Sequence, residues 1–280
     1  MHVAATYARM IKLSHSVFSM PFALAAALIA WRDVPFAVAD LGWILVCLVT
    51  ARASAMGFNR LIDAPFDAMN PRTAVREIPS GQISRGAAWA FTLGSAAVFV
   101  AASAALSTAA LALSPVALAV VWGYSWTKRF TALCHAVLGV ALALAPTGVW
   151  VALTGSYGAV PALLSLAVGT WVAGFDIIYA CQDADFDRAN GLHSVPARLG
   201  LRGALALSAG LHVATVACLV ALPWVVPMAW PWWIGVVLIA GVLAYEHTLV
   251  SPTDLTRVDK AFFDLNGYVS LLFLAFVAVS

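Results

Sequence analysis

Asn59-Arg-Leu-Ile-Asp63-Ala-Pro-Phe-Asp67-Ala-Met-Asn-Pro-Arg72-Thr73 is a polar run set between two long apolar blocks, and that setting decides the fold. Hydrophobic residues make up 63% of the 280 and charged residues only 10%, against about 25% charged in a soluble domain. A spanning helix takes roughly 20 mostly apolar residues, and the chain offers about nine such stretches. They lie at 14–33, 38–58, 87–105, 108–126, 132–153, 159–180, 203–223, 230–250 and 262–279. The expectation is an all-α polytopic membrane protein forming a single domain over 1–280. The longest polar stretches, 59–86 and 181–202, are too short to bury a core of their own and are expected to be loops on one side of the membrane. The first apolar block runs to Trp31 without a clear small-residue cleavage site, and so reads as a retained helix rather than a signal peptide.

With nine helices and the N-terminus in the cytoplasm, nearly every basic residue falls inside: Arg9, Lys12, Arg52, Arg60, Arg72, Arg76, Arg85, Lys128, Arg129, Arg188, Arg198, Arg202, Arg257 and Lys260. Only Arg32 lies opposite. Lys and Arg set orientation in this way, whereas acids contribute little to it. The acids nevertheless gather on the same face, as Asp63, Asp67 and Glu77 in one connection and Asp176, Asp183, Asp185 and Asp187 in the other. That clustering asks for a chemical cause. The net charge of +2 gives no ground for a nucleic-acid partner. Cys47, Cys134, Cys181 and Cys218 are isolated, with no CxxC pair, so neither a zinc site nor a disulfide framework is expected.

The first acidic segment has the spacing NxxxDxxxD. Positions i and i+4 share a helical face, so Asn59 stacks on Asp63. Pro65 would kink or end a helix, which brings Asp67 in from a bent or terminal turn. In the second segment Asp176, Asp183 and Asp187 fall at i, i+7 and i+11, again one helical face. Asp176 lies at membrane depth, where an ionisable group is costly and calls for a partner. Ile78-Pro79-Ser80 followed by Arg85-Gly86-Ala87 is echoed by Val195-Pro196-Ala197 followed by Arg202-Gly203-Ala204. The echo suggests two similar four-helix halves plus a ninth helix, and helical membrane proteins often place sites between such repeats.

Paired carboxylates of this kind suit Mg²⁺, which takes one or two carboxylates together with waters and substrate phosphates. Two carboxylate clusters facing each other would hold two such ions about a diphosphate and neutralise it as its C–O bond breaks. Arg76 and Lys128 would add preorganised positive charge.

At these residues the chain resembles the UbiA superfamily of intramembrane aromatic prenyltransferases, over nearly its whole length. Asn59, Asp63 and Asp67 match that family's first motif. Asp183 and Asp187 match its second, with Asp176 as the upstream Asp. The resemblance implies Mg²⁺ as cofactor, held by Asn59, Asp63, Asp67, Asp183 and Asp187. It implies diphosphate contacts at Arg72, at Arg76 before Pro79-Ser80-Gly81, and at Tyr124 and Lys128. On the acceptor side it implies Arg52, Asp176 and Tyr179. Arg60 stands where many members carry Asp, which shifts metal binding onto Asp63 and Asp67. The stretches His15–Leu24 and Gly191–Gly200 look most like the quinone-making branch. That implies a polyprenyl diphosphate donor and an acceptor such as 4-hydroxybenzoate, for ubiquinone, or 1,4-dihydroxy-6-naphthoate, for menaquinone. The implied mechanism is ionisation to an allylic cation followed by attack of the ring, with the active site toward the cytoplasm of an inner membrane.

Tyr179 and Trp126 are candidates for cation–π contact on position alone. His15 and His135 read as hydrogen-bonded helix residues, and His193 as a loop residue open to an acceptor or phosphate contact. Trp230, Trp232 and Trp233 read as an interfacial belt. Asp254, Asp259 and Asp264 read as caps or solvated groups, and Asn266 as a weaker candidate for lining the cavity. Two rival readings are a transporter using intramembrane carboxylates and a phosphatidyltransferase of the CDP-alcohol type, whose compact Asp-x-x-Asp-Gly-x-x-Ala-Arg run is absent.

Overall fold

The computed structural model describes residues 2–12 and 18–280; His15 lies outside them. Every regular element among the described residues is helical, with one isolated bridge between Ser251 and Asp254. Among the described residues, seven helices are long and apolar enough to cross a membrane. The helices Met20–Trp31 and Pro231–Thr248, both counted as spans in the sequence reading, are not among those seven.

The chain divides into two compact units. The first holds α1 (His2–Met10), α3 (Val38–Met69), α4 (Arg85–Leu106) and α5 (Thr108–Thr127). The helix expected over 38–58 runs on to Met69, straight through Pro65. Its 32 residues span about 48 Å at 1.5 Å per residue, well beyond a hydrocarbon core of about 30 Å. Hydropathy ends where the bilayer does, but helical hydrogen bonding does not. The segment expected as a loop from 59 is therefore helical for its first three turns, and both of its aspartates ride on a rigid element. Gly57 lets α4 approach, since a Cβ there would sit 2.4 Å from Thr92 Oγ1. Ser54 donates to the Thr92 carbonyl (3.0 Å) and accepts from Trp122 Nε1 (3.0 Å), tying α3 to α4 and α5. Phe58 stacks on Trp122 and meets Trp126 edge-on.

The second unit holds α2 (Met20–Trp31), α6 (Cys134–Thr154), α7 (Ala159–Ala180), α8 (Ala184–Ala189), α9 (Val195–Ala221), α10 (Pro231–Thr248) and α11 (Val258–Ala278), the last opening with a π turn over Ala261–Leu265. The units do not follow the two sequence halves. α2 packs against α6 and α11, because its small apolar residues bury it on nearly every side. Phe22 stacks on Phe273 at 4.3 Å and lies 5.1 Å from Trp171. Small residues let backbones close up elsewhere, as is usual between membrane helices. A Cβ at Gly139 would meet the Gly169 carbonyl at 2.3 Å, and one at Gly174 would meet the His212 ring at 2.4 Å. Gly200, at φ +70°, breaks α9 near its start, which is why a span expected from 203 has helical residues already at 195.

Candidate active site

The first acidic segment is set by α3. Asn59 Nδ2 donates to Asp63 Oδ2 at 2.8 Å, the expected i,i+4 stack, and lies 3.5 Å from Ser125 Oγ. Asp67 sits in the last turn of α3, as Pro65 suggested, but without a break in the helix. Arg76 Nη1 reaches both of its oxygens, at 2.7 and 2.9 Å, and Thr73 Oγ1 donates to its carbonyl at 3.1 Å. The connection after α3 therefore folds back onto the helix end. Arg72 is exposed and its amide donates to Asn70 Oδ1. An expected metal ligand and an expected diphosphate contact are thus paired with each other.

Arg60, the departure from the family pattern, is buried and donates from Nε to the carbonyl of Met10, the last residue of α1. It bolts α1 to α3. Arg52 is half-buried. Its Nη2 donates weakly to the Lys12 carbonyl (3.4 Å), and its buried Nε meets no acceptor among the described residues.

The second segment does not continue the face of α7. That helix ends at Ala180, a tight turn over Cys181–Asp183 resets the register, and α8 follows. The three aspartates consequently turn to different neighbours. Asp176 has its partner in His135, whose Nδ1 lies 2.6 Å from Oδ2. Asp187 is wholly buried and meets Lys128 Nζ at 2.7 Å. Asp183 is half-buried in the turn between them. Burial alone would pull the Lys128 ammonium's pKa down, but Asp187, with Asp183 nearby, outweighs it and holds it above the ordinary lysine value. Asp185 pairs only with Arg188, in solvent, and such pairs contribute little.

Of the aromatics, Tyr179 packs on Phe262 at 4.2 Å, and Trp126 is exposed beside Phe58. His135 is the hydrogen-bonded residue expected. Asn266 is fully buried, accepting from Trp171 Nε1 at 2.6 Å and donating to Glu246 Oε1 at 3.2 Å. Asp254 caps Thr256. Trp232, read as an interfacial residue, is fully buried against Phe273, whereas Trp230 and Trp233 are exposed. Glu246, wholly buried, was not singled out from sequence. Its signal was a lone acid in an otherwise apolar helix.

Among the described residues no three of His, Cys, Asp or Glu converge as a metal cage would, and all four cysteines are free thiols. The donors in the acidic segments are the Asn59 amide and carboxylates. That all-oxygen set fits a hard cation needing one or two carboxylates and completing its shell with water and phosphate, and does not fit zinc.

Residues 19–277 match the UbiA prenyltransferase family. The chain belongs to that family. A 4-hydroxybenzoate octaprenyltransferase of Enterobacter sp. (strain 638) is 32% identical over 230 residues, covering 82% of this chain and 78% of that one. A UbiA homologue from Aeropyrum pernix K1, solved in its apo form, superposes with a TM-score of 0.86 at 36% identity, over 95% of this chain and 97% of that one. A homologue from Archaeoglobus fulgidus, bound to DMAPP and Mg²⁺, shares the fold at 20% identity with a TM-score of 0.77, over 98% of each chain. The chain is accordingly a polytopic membrane prenyltransferase, and the transporter and phosphatidyltransferase readings fall away.

Proposed function

We propose that this UbiA-family enzyme moves a prenyl or polyprenyl group from its diphosphate onto a carboxylate-bearing aromatic ring, with 4-hydroxybenzoate first and 1,4-dihydroxy-6-naphthoate second among acceptors. The observation that carries the reading is the pairing at each acidic segment of one buried carboxylate with one cation, Asp67 with Arg76 and Asp187 with Lys128. A carboxylate so paired is aimed before substrate arrives. Asp67 and Asp187 would be available to a metal, and Arg76 and Lys128 to phosphate oxygens, from the same paired positions. The name of the Enterobacter relative favours 4-hydroxybenzoate, and the ligands of the Archaeoglobus homologue favour magnesium with a prenyl diphosphate.

In this reading Asn59, Asp63, Asp67, Asp183 and Asp187 hold magnesium. When bound, it supplies positive charge that neutralises the diphosphate as the C–O bond breaks. Arg76, Lys128, Tyr124 and Arg72 take the phosphate oxygens, adding preorganised charge where negative charge grows. The bonding pair leaves with the diphosphate, the ring's π electrons form the new C–C bond to the allylic cation, and the ring then loses a proton. Arg52 suits the acceptor's carboxylate, because its buried Nε lacks an acceptor among the described residues. Asp176 and Tyr179 complete the acceptor side. The distribution of Lys and Arg supports an N-terminus and active site facing the cytoplasm, and the bacterial relatives support an inner membrane.

The test is prenyl transfer by the purified protein from geranyl diphosphate, with each acceptor supplied separately. Product with 4-hydroxybenzoate is expected. Product only with the naphthoate would reassign the acceptor, and product with neither from folded protein would refute both assignments.

A further inference from the structure

The segment 191–195 carries none of the roles above, yet it is fastened at four points. The Leu192 amide donates to the Asp187 carbonyl at 2.8 Å, and the His193 amide to the Lys128 carbonyl at 2.6 Å. Cys134 Sγ donates to the His193 carbonyl at 3.4 Å. The Val195 amide donates to His135 Nε2 at 3.2 Å.

The last bond is chemically informative. Val195 is the first residue of α9, and its N–H is one of the donors a helix start leaves without an internal partner. Ser194 caps Ala197 rather than Val195, so the imidazole takes that donor. A ring nitrogen that accepts carries no proton, which places the proton on Nδ1, 2.6 Å from Asp176 Oδ2. Asp176 thus fixes both the orientation and the tautomer of His135, as a carboxylate does for a histidine at a metal site. The ring is buried, so water does not stand in for it.

We propose that His135 is a positioning residue. Asp176 orients it, it holds the Val195 end of the segment, and the segment's His193 amide in turn holds the main chain of Lys128, whose ammonium meets Asp187. The loop is closed, because the same segment is anchored at its other end to the Asp187 carbonyl. Lys128 and Asp187 face each other because the backbone on both sides is pinned, and His135 supplies the side-chain pin at the Val195 end, beside the weaker one from Cys134 to the His193 carbonyl. The consequence for diphosphate binding rests on the function proposed above.

Two readouts separate the clamp from that function. Amide hydrogen exchange over 190–196 in the detergent-solubilised protein reads the clamp directly. The KM for geranyl diphosphate, against kcat and the acceptor KM, reads its consequence. His135→Leu is expected to speed exchange over 190–196 and raise the diphosphate KM by about tenfold, the lower end for losing an orienting partner, with the acceptor KM little changed. His135→Gln can put its amide oxygen near the position of Nε2 and accept from Val195, so it restores both. His135→Asn keeps a donor toward Asp176 but does not reach Val195, so it behaves like His135→Leu. Should the Leu variant not fold, Val195→Pro removes the donor, together with a buried valine side chain, at a position where a helix tolerates proline, after an extended Ser194, and is expected to give the same shifts. A Gln variant no better than the Asn variant, or unchanged exchange over 190–196 in folded His135→Leu or Val195→Pro, would overturn the clamp. Faster exchange with an unchanged diphosphate KM would overturn the link to Lys128 and Asp187. Wild-type protein that transfers no prenyl group while the exchange pattern holds would overturn the underlying function and leave the clamp standing.

Discussion

Replacing Arg76 with Met should expose how the first acidic segment is held. Arg76 Nη1 sits 2.7 and 2.9 Å from the two oxygens of Asp67, whose side chain is 8% exposed against 21% for the arginine. Removing one partner of a fully buried ion pair costs about 3–5 kcal/mol, because the remaining charge loses its solvation. Here water reaches the arginine, so the expected loss is smaller, about 1–3 kcal/mol. With a midpoint shift of roughly 2–4 °C per kcal/mol for chains of about 150–250 residues, Arg76→Met should lower the thermal midpoint in detergent, without magnesium, by roughly 2–12 °C. Adding Asp67→Asn removes the stranded charge, so the double variant should recover at least half of that loss. Activity should follow the opposite logic: both the single and the double variant lose it, since the second substitution discards a proposed metal ligand. A midpoint unmoved in Arg76→Met, or a strictly additive cycle, would refute the claim that this pair organises the site.

Three further outcomes follow from other contacts. Asn266→Leu strands the Trp171 indole N–H and takes a donor from Glu246; at about 1–3 kcal/mol per buried group left unpaired, it should be among the most destabilising substitutions in the second unit, measured as a thermal midpoint. The Lys128–Asp187 pair has a pH signature. The lysine's pKa is raised in the folded protein, so its stabilising share is complete below the unfolded value of about 10.4 and lost as pH rises through the higher folded value. The midpoint difference between wild type and Lys128→Met should accordingly stay constant from about pH 7 to 9.5 and shrink above about 10.4. Gly139→Val drives a side chain into the Gly169 carbonyl and should prevent α6 and α7 from closing, seen as loss of monodisperse protein on size exclusion.

The sequence made the helices legible because lipid demands long apolar runs, and each of the nine expected spans begins or ends within a few residues of an observed helix boundary. What it hid were the places where one physical signal stops and another continues. Hydropathy falls at Asn59, yet α3 continues to Met69, since a helix leaving the bilayer keeps its remaining backbone hydrogen bonds, and Pro65, which removes one of them, lies on an exposed face. The acidic motifs were equally plain, being local patterns. Their partners were not. Asp176 on α7 meets His135 on α6, and Asp187 on α8 meets Lys128 in the connection before α6, and no spacing rule joins residues so far apart in the chain. Asp176 had been grouped with Asp183 and Asp187 by assuming one continuous helix, which the turn at Cys181–Asp183 breaks. Asn266 donates to one oxygen of Glu246 inside an apolar bundle, where a hydropathy reading sees only two interruptions.

The central claim is that magnesium-dependent prenyl transfer runs on these carboxylates. The direct measurement is formation of prenylated 4-hydroxybenzoate from geranyl diphosphate by purified wild-type and Asp183→Ala protein, with Mg²⁺ and with EDTA. The account predicts product only from wild-type protein with Mg²⁺, while Asp183→Ala keeps its fold and thermal midpoint. Undiminished product from Asp183→Ala, or from wild type in EDTA, would contradict it.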